Sequence, residues 1–131
     1  MVTTIRVVAA VIERDGSYLV TQRRPTAVLP LLWEFPGGKV EPGETDAEAL
    51  CREVAHRVGV EVKPGEQISS VRHAYDHYTV DLHLYECRIT LGEPKAVNVH
   101  QFRWASSRDF DELPFTAADE ASMTKLLGLL P

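Results

Sequence analysis

Cysteine is scarce in this 131-residue chain: there are two, Cys51 and Cys87, with no C-x-x-C spacing. That scarcity argues against a disulfide framework and points to a reducing compartment. Long apolar runs are also lacking. The opening MVTTIRVVAAVIERDG has Arg6 inside its apolar stretch and more charges soon after. It is too short and too interrupted to span a bilayer, and it lacks the layout of a secretory signal. It reads as the first strand of a cytoplasmic protein. Positive charge is outweighed, with 14 Lys and Arg against 19 Asp and Glu and a net charge of -5. That balance argues against broad attraction to a nucleic-acid polymer or an anionic membrane. An anionic ligand must therefore be met by local arginines and lysines. Repeats, low-complexity tracts and linkers are absent. Hydrophobic residues make up 44% and charged residues 25%, as expected of one domain over residues 1–131 with a real core.

The pattern along the chain predicts strands, a helix, strands and a second helix. Residues 2–13 are β-rich and end at Asp15-Gly16, a hairpin signal. Residues 17–23 resume as a strand, and 24–32, with Pro25 and Pro30, form a loop. Trp33-Glu34-Phe35 is short and extended, broken by Pro36-Gly37-Gly38, and 39–44 is irregular. Thr45 followed by Glu48 is a capping-box pattern. Ala47, Leu50, Val54 and Val58 follow at helical spacing, and Gly59 marks the stop. The helix is therefore expected over 45–58. Residues 60–63, 67–75, 78–89 and 97–105 read as strands. Pro114 precedes a second helix, with Thr116 and Asp119 as its capping pair and Met123, Leu126, Leu127 and Leu130 as its apolar side. This order implies an α/β fold, a mixed sheet with helices packed on it.

The chemistry concentrates in Gly37–Val60, GGKVEPGETDAEALCREVAHRVGV. Two adjacent glycines let the backbone approach a ligand closely and adopt positive φ. The loop then enters a helix N-terminus, a common anion site. On that helix, positions 53, 56 and 57 share one face, opposite the stripe of Leu50, Val54 and Val58.

This stretch resembles the Nudix box, G-x5-E-x7-R-E-U-x-E-E-x-G-U with U aliphatic. Gly38, Glu44, Arg52, Glu53, Val54, Gly59 and Val60 all fall in register, a specific match. The preceding WEFPGG and the element order extend the resemblance across nearly the whole chain. It implies a Nudix-type α/β/α sandwich and hydrolysis of a nucleoside diphosphate linked to another group, with water as nucleophile and Mg²⁺ or Mn²⁺ held by glutamates. It implies that Glu53 is a metal ligand or base, that Arg52 orients glutamates, and that Glu44 supports the cluster. Gly37 and Gly38 would offer backbone carbonyls to the metal.

The departure lies at the paired glutamates, which are His56 and Arg57 here. Over positions 44, 53, 56 and 57 the family pattern carries -4; this chain carries -1 with neutral His56. A pair of opposite unit charges about 4 Å apart is worth roughly 4 kcal/mol at an effective dielectric near 20. The expected Mg²⁺ or Mn²⁺ site is thus weakened. A further family carboxylate, from the loop before the last strands, meets Asn98 instead, with Glu93 the nearest acid. His56 can still ligate a metal such as Mn²⁺ or Zn²⁺, with Arg57 on a phosphate. Alternatively, the chain binds nucleotide without useful turnover.

Other candidates contact substrate. Arg23, at a strand end, and Lys39 are expected on phosphates. Phe35 is expected to stack on the base, with Tyr78 a second stacking residue. Asp119 either caps the second helix or accepts from an exocyclic amino group such as that on cytosine C4. His73, Tyr75, His77 and His83 offer a minor metal-site possibility. With VVAAVIERDG and WEFPGGKVEPGE, Asp119 resembles the MutT-type branch that includes CTP pyrophosphohydrolases. The expected reaction converts a nucleoside triphosphate, CTP, dCTP or an oxidised deoxynucleotide, to monophosphate and pyrophosphate. The expected assembly is a monomer or a homodimer.

Overall fold

Apolar residues alternating along the N-terminal run form β1 (Thr3–Val11) in the computed structural model, which describes residues 3–121. β2 (Glu13–Arg14) and β3 (Ser17–Gln22) follow. They are joined through Asp15 at φ 52° and Gly16 at φ 80°, the left-handed pair of a tight hairpin turn. Then come β4 (Trp33–Glu34), β5 (Gly37–Lys39), α1 (Asp46–Val58), β6 (Glu61–Ala74), β7 (Tyr78–Leu91) and β8 (Gln101–Ala105).

The strands make two sheets. One is mixed, in the order β5-β1-β7-β6, with β1 and β7 parallel. The other is antiparallel, with β3 paired to β2, β4 and β8. Alternation along β1 splits the core in two. Val8, Ala10 and Ile12 pack with Leu50, Val54 and Val58 of α1. Ala9 and Val11 point the other way, toward Trp33, Phe35, Phe110, Phe115 and Ala118. The mixed sheet therefore has α1 on one face and the 109–121 segment on the other.

Helix α1 starts and stops where its sequence dictates. The Thr45 hydroxyl accepts from Glu48 N at 3.1 Å, and the Glu48 carboxylate accepts from Thr45 N at 3.0 Å. Gly59, at φ 72°, closes the helix with its N–H on the Ala55 carbonyl, a left-handed cap. Leu50, Val54 and Val58 are wholly buried, worth roughly 1.5–3 kcal/mol each against exposure. Ala47, expected beside them, is exposed in the first turn, and Ala49 is buried instead.

Four other boundaries differ from expectation. Gly37–Lys39, read as a break, pairs with β1 as Val8↔Gly38 and Ala9↔Gly37. The two expected strands at 60–63 and 67–75 are one bulged strand, β6, irregular between Pro64 and Ser69. The strand expected from 97 begins only at Gln101. The segment before it serves α1 instead: Lys95 N donates to Val58 O, and Val97 N and Asn98 N donate to Arg57 O. A 3-10 turn at Asp109–Glu112 had no sequence signal. A second helix begins at 117, after Thr116. Met123, Leu126, Leu127 and Leu130 lie outside the described residues.

Candidate active site

Two elements bring the box residues together. β5 is tied to β1, so α1 lies close above its glycines. A methyl group on Gly38 would sit 2.8 Å from Glu53 Cγ and closer still to the carboxylate. On Gly37 it would sit 2.7 Å from Ala9 Cα. Neither glycine has positive φ; both are required by close approach, not by a left-handed turn.

Over Gly38 the side chains form an ion-pair chain. Arg52 Nε and Nη2 hold the Glu44 carboxylate at 2.7 and 2.9 Å. Arg52 Nη1 donates to Glu53, and Nη2 also reaches the Lys39 carbonyl at 2.9 Å. The arginine bonds thus hold the Glu44 carboxyl down at about 2, with a backbone bond from Glu41 adding to the effect. Glu48, a possible partner of Arg52 in a simpler reading, is engaged in the capping box. Arg57 Nε donates to the second Glu53 oxygen at 3.1 Å. Glu53 is therefore held between two guanidiniums.

Beside this chain lies a cavity of about 330 Å³ whose wall includes Arg23, Phe35, Gly37, Gly38, Lys39, Arg57, Tyr78 and Asp119. Glu44, Arg52, Glu53 and His56 are not part of that wall. His56 is exposed, and its carbonyl accepts from Asn98 Nδ2 at 3.0 Å. Asn98 thus caps α1. Glu93, the acid nearest to the missing carboxylate in sequence, pairs instead with Arg14 at 3.1 Å, at the β2 end of the protein.

The far end of the cavity is built by β4 against the 114–119 segment. Trp33 N donates to Pro114 O, Thr116 N to Trp33 O, and Phe35 N to Asp119 Oδ1 at 3.0 Å. The Thr116 hydroxyl donates to Asp119 Oδ2 at 2.7 Å and accepts from Asp119 N. Asp119 is thus buried, helps cap the helix and also faces the cavity. Burial, reinforced by the charge of Glu34, pushes its carboxyl up to about 7. Phe35, expected to stack on a base, is 2% exposed and packs edge-on against Phe110 at 6.3 Å. Tyr78, the second expected stacking residue, lies on the cavity wall with its ring 5.0 Å from that of Tyr75. The Tyr75 hydroxyl accepts from Ala118 N.

Sequence reasoning missed Glu34. Alternation turns it away from Trp33 and Phe35, and it too joins the cavity wall. Both its oxygens accept from Arg23 Nη1 at 3.2 Å. Burial nevertheless raises its carboxyl, outweighing Arg23 and Arg57. The available signal is an acid between two core aromatics. Arg23 also holds the loop over the cavity through Nε to Val28 O at 2.6 Å.

A divalent cation does not fit this donor set. The oxygens of Glu34, Glu44 and Glu53 are already engaged by guanidiniums, and among the described residues no three His, Cys, Asp or Glu side chains converge. His73 and Tyr75 pack edge to face, with ring centroids 4.6 Å apart. Both cysteines are free, and no helix among the described residues is long and apolar enough to cross a membrane.

The sequence profile of a family described as NUDIX domain matches residues 7–125. The chain is 36% identical over 125 residues to the CTP pyrophosphohydrolase of Escherichia coli K12, covering 95% of this chain and 93% of that one. It is 28% identical over 125 residues to the 8-oxo-dGTP diphosphatase of Haemophilus influenzae, covering 95% and 92%. The solution structure of the E. coli ORF135 protein superposes with a TM-score of 0.80 at 33% identity, covering 98% of this chain and 91% of that one.

Proposed function

The chain belongs to the NUDIX domain family, and we propose that it hydrolyses a nucleoside triphosphate, CTP, dCTP or an oxidised deoxynucleotide, to monophosphate and pyrophosphate. Residues 1–131 act as one domain, as a monomer or homodimer, on a small nucleotide rather than a nucleic-acid polymer. The observation that carries this reading is the cavity itself, lined by Arg23, Lys39 and Arg57 and by buried Asp119. Basic groups for phosphate and an acid for the base within one cavity suit a nucleotide.

Asp119 accepts from an exocyclic amino group, since each of its oxygens keeps a lone pair beyond its present bond. Tyr78, backed by Tyr75, stacks on the base, and Phe35 closes the floor. Arg23 and Lys39 take phosphate oxygens. Water attacks phosphorus, the bond to the bridging oxygen breaks, pyrophosphate leaves, and the water proton passes to Glu53. Arg52 positions Glu53 and is itself held by Glu44. Nudix hydrolases generally use divalent metals. Gly37, Gly38, Glu53 and His56 are the donors nearest to such a site, and the poor fit of this set supports a weakened or altered metal dependence.

The Arg57–Glu53 pair also favours a second reading, a module that binds nucleotide with little turnover. Pyrophosphate release from CTP, dCTP and 8-oxo-dGTP, each with Mg²⁺, Mn²⁺ and Zn²⁺, separates the two. Release that disappears in Glu53→Gln supports the enzyme. Micromolar binding without release under any condition rejects it in favour of the module.

A further inference from the structure

We propose that Arg57 is a built-in counter-ion: it releases Glu53 to grip a phosphate oxygen when nucleotide enters, so that polyphosphate binds without a dication and a dication competes with Arg57 for Glu53. The inference rests on the nucleotide reading above and adds to it what neutralises the phosphates.

Four observations carry it. Arg57 spends only its Nε on Glu53, and its Nη nitrogens make no hydrogen bond among the described residues, leaving a two-pronged donor of the kind that grips phosphate. It lines the cavity while Glu53, behind it, does not. The cavity wall sets Arg23, Lys39 and Arg57 against Glu34 and Asp119, a balance that attracts an anion and repels a free dication. Arg57 also stands in the last turn of α1, where the helix dipole favours a cation. A metal at Glu53 would have to displace that guanidinium and then sit beside it.

The test uses the full chain, calorimetry with the α,β-methylene analogue of CTP in EDTA or in Mn²⁺, and electron paramagnetic resonance to count bound Mn²⁺ without nucleotide. The wild type is expected to bind the analogue in EDTA within about threefold of its affinity in Mn²⁺. Arg57→Gln is expected to lose about tenfold in EDTA, one charge-assisted contact, and to bind Mn²⁺ more tightly than the wild type. Arg57→Lys, which keeps the charge, is expected to recover part of the EDTA affinity. Circular dichroism checks that both variants fold. Analogue binding that requires Mn²⁺ and ignores Arg57→Gln overturns the inference while leaving the nucleotide reading intact. Absence of analogue binding in EDTA and in Mn²⁺ alike overturns both. Mn²⁺ binding to the wild type at least as tight as to Arg57→Gln overturns the competition.

Discussion

Gly38→Ala is expected to detach Glu53 from its arginines and leave the fold standing, whereas Gly37→Ala should damage the fold itself. The added methyl group at 38 falls 2.8 Å from Glu53 Cγ, against about 3.5–4.0 Å for an unstrained carbon contact. The Glu53 side chain must withdraw by roughly an ångström. That lengthens its 3.1 Å bond to Arg57 beyond hydrogen-bonding range. Partly exposed ion pairs contribute about 0–1 kcal/mol each, so losing the contacts to Arg52 and Arg57 costs ~0–2 kcal/mol. An ångström of displacement at a reacting group costs about 10²-fold in rate. At 37 the obstacles are backbone atoms of β1, 2.7 Å to Ala9 Cα and 2.9 Å to the Val8 carbonyl carbon, which no rotamer can clear. Prising β5 from β1 costs ~3 kcal/mol or more. Urea denaturation measures the stabilities, and pyrophosphate release measures the activity. If Gly38→Ala loses as much stability as Gly37→Ala, or keeps wild-type pyrophosphate release, Glu53 is not the group that fixes glycine at 38.

Arg52→Lys cannot reproduce the bonds to Glu44, Glu53 and the Lys39 carbonyl, because an ammonium lacks the planar fork; kcat should fall at least tenfold with little change in KM, which steady-state kinetics reads. Asp119 holds its proton to about pH 7 when folded and releases it near 4 when unfolded. The native state therefore binds more protons between those values, so its contribution to stability is lost as pH rises from about 4 through about 7, by ~1.4 kcal/mol for each pH unit crossed. Asp119→Asn should flatten that dependence in urea titrations at pH 5, 6, 7 and 8; an unchanged slope counts against the assignment. Thr45→Ala removes the hydroxyl half of the capping box and should cost ~1 kcal/mol in the same denaturation assay, with pyrophosphate release unaltered at 25 °C.

Local signals were legible where neighbours in sequence settle the outcome. The Thr45–Glu48 box and Gly59 set the ends of α1 to within a residue, because both partners of each bond lie within four positions. The period-2 run at 78–89 became β7 for the same kind of reason. Reading failed where the deciding contact came from afar. β5 is a strand only because β1 offers it a ladder, and the strand expected from 97 starts late because α1 takes the N–H groups of Val97 and Asn98. Glu34 drew no reading from its neighbours in sequence, because the cavity it lines is completed by Tyr78 and Asp119, far along the chain.

By itself the sequence determined the helix and its caps, the hydrophobic alternation of the long strands, and a glycine–glutamate–arginine spacing specific enough to name a family. It also settled that the paired carboxylates are absent, since that needs only identities at fixed positions. The tertiary structure alone decided what stands in their place. Whether Arg57 points to solvent, to Glu53 or into the cavity depends on how close α1 lies to β5, and that distance is set by the packing of Val8, Leu50 and Val54 between them. Burial of Asp119 beside Glu34 was likewise decided only by folding, because the low-dielectric surroundings that hold its proton come from residues that meet nowhere in the linear chain.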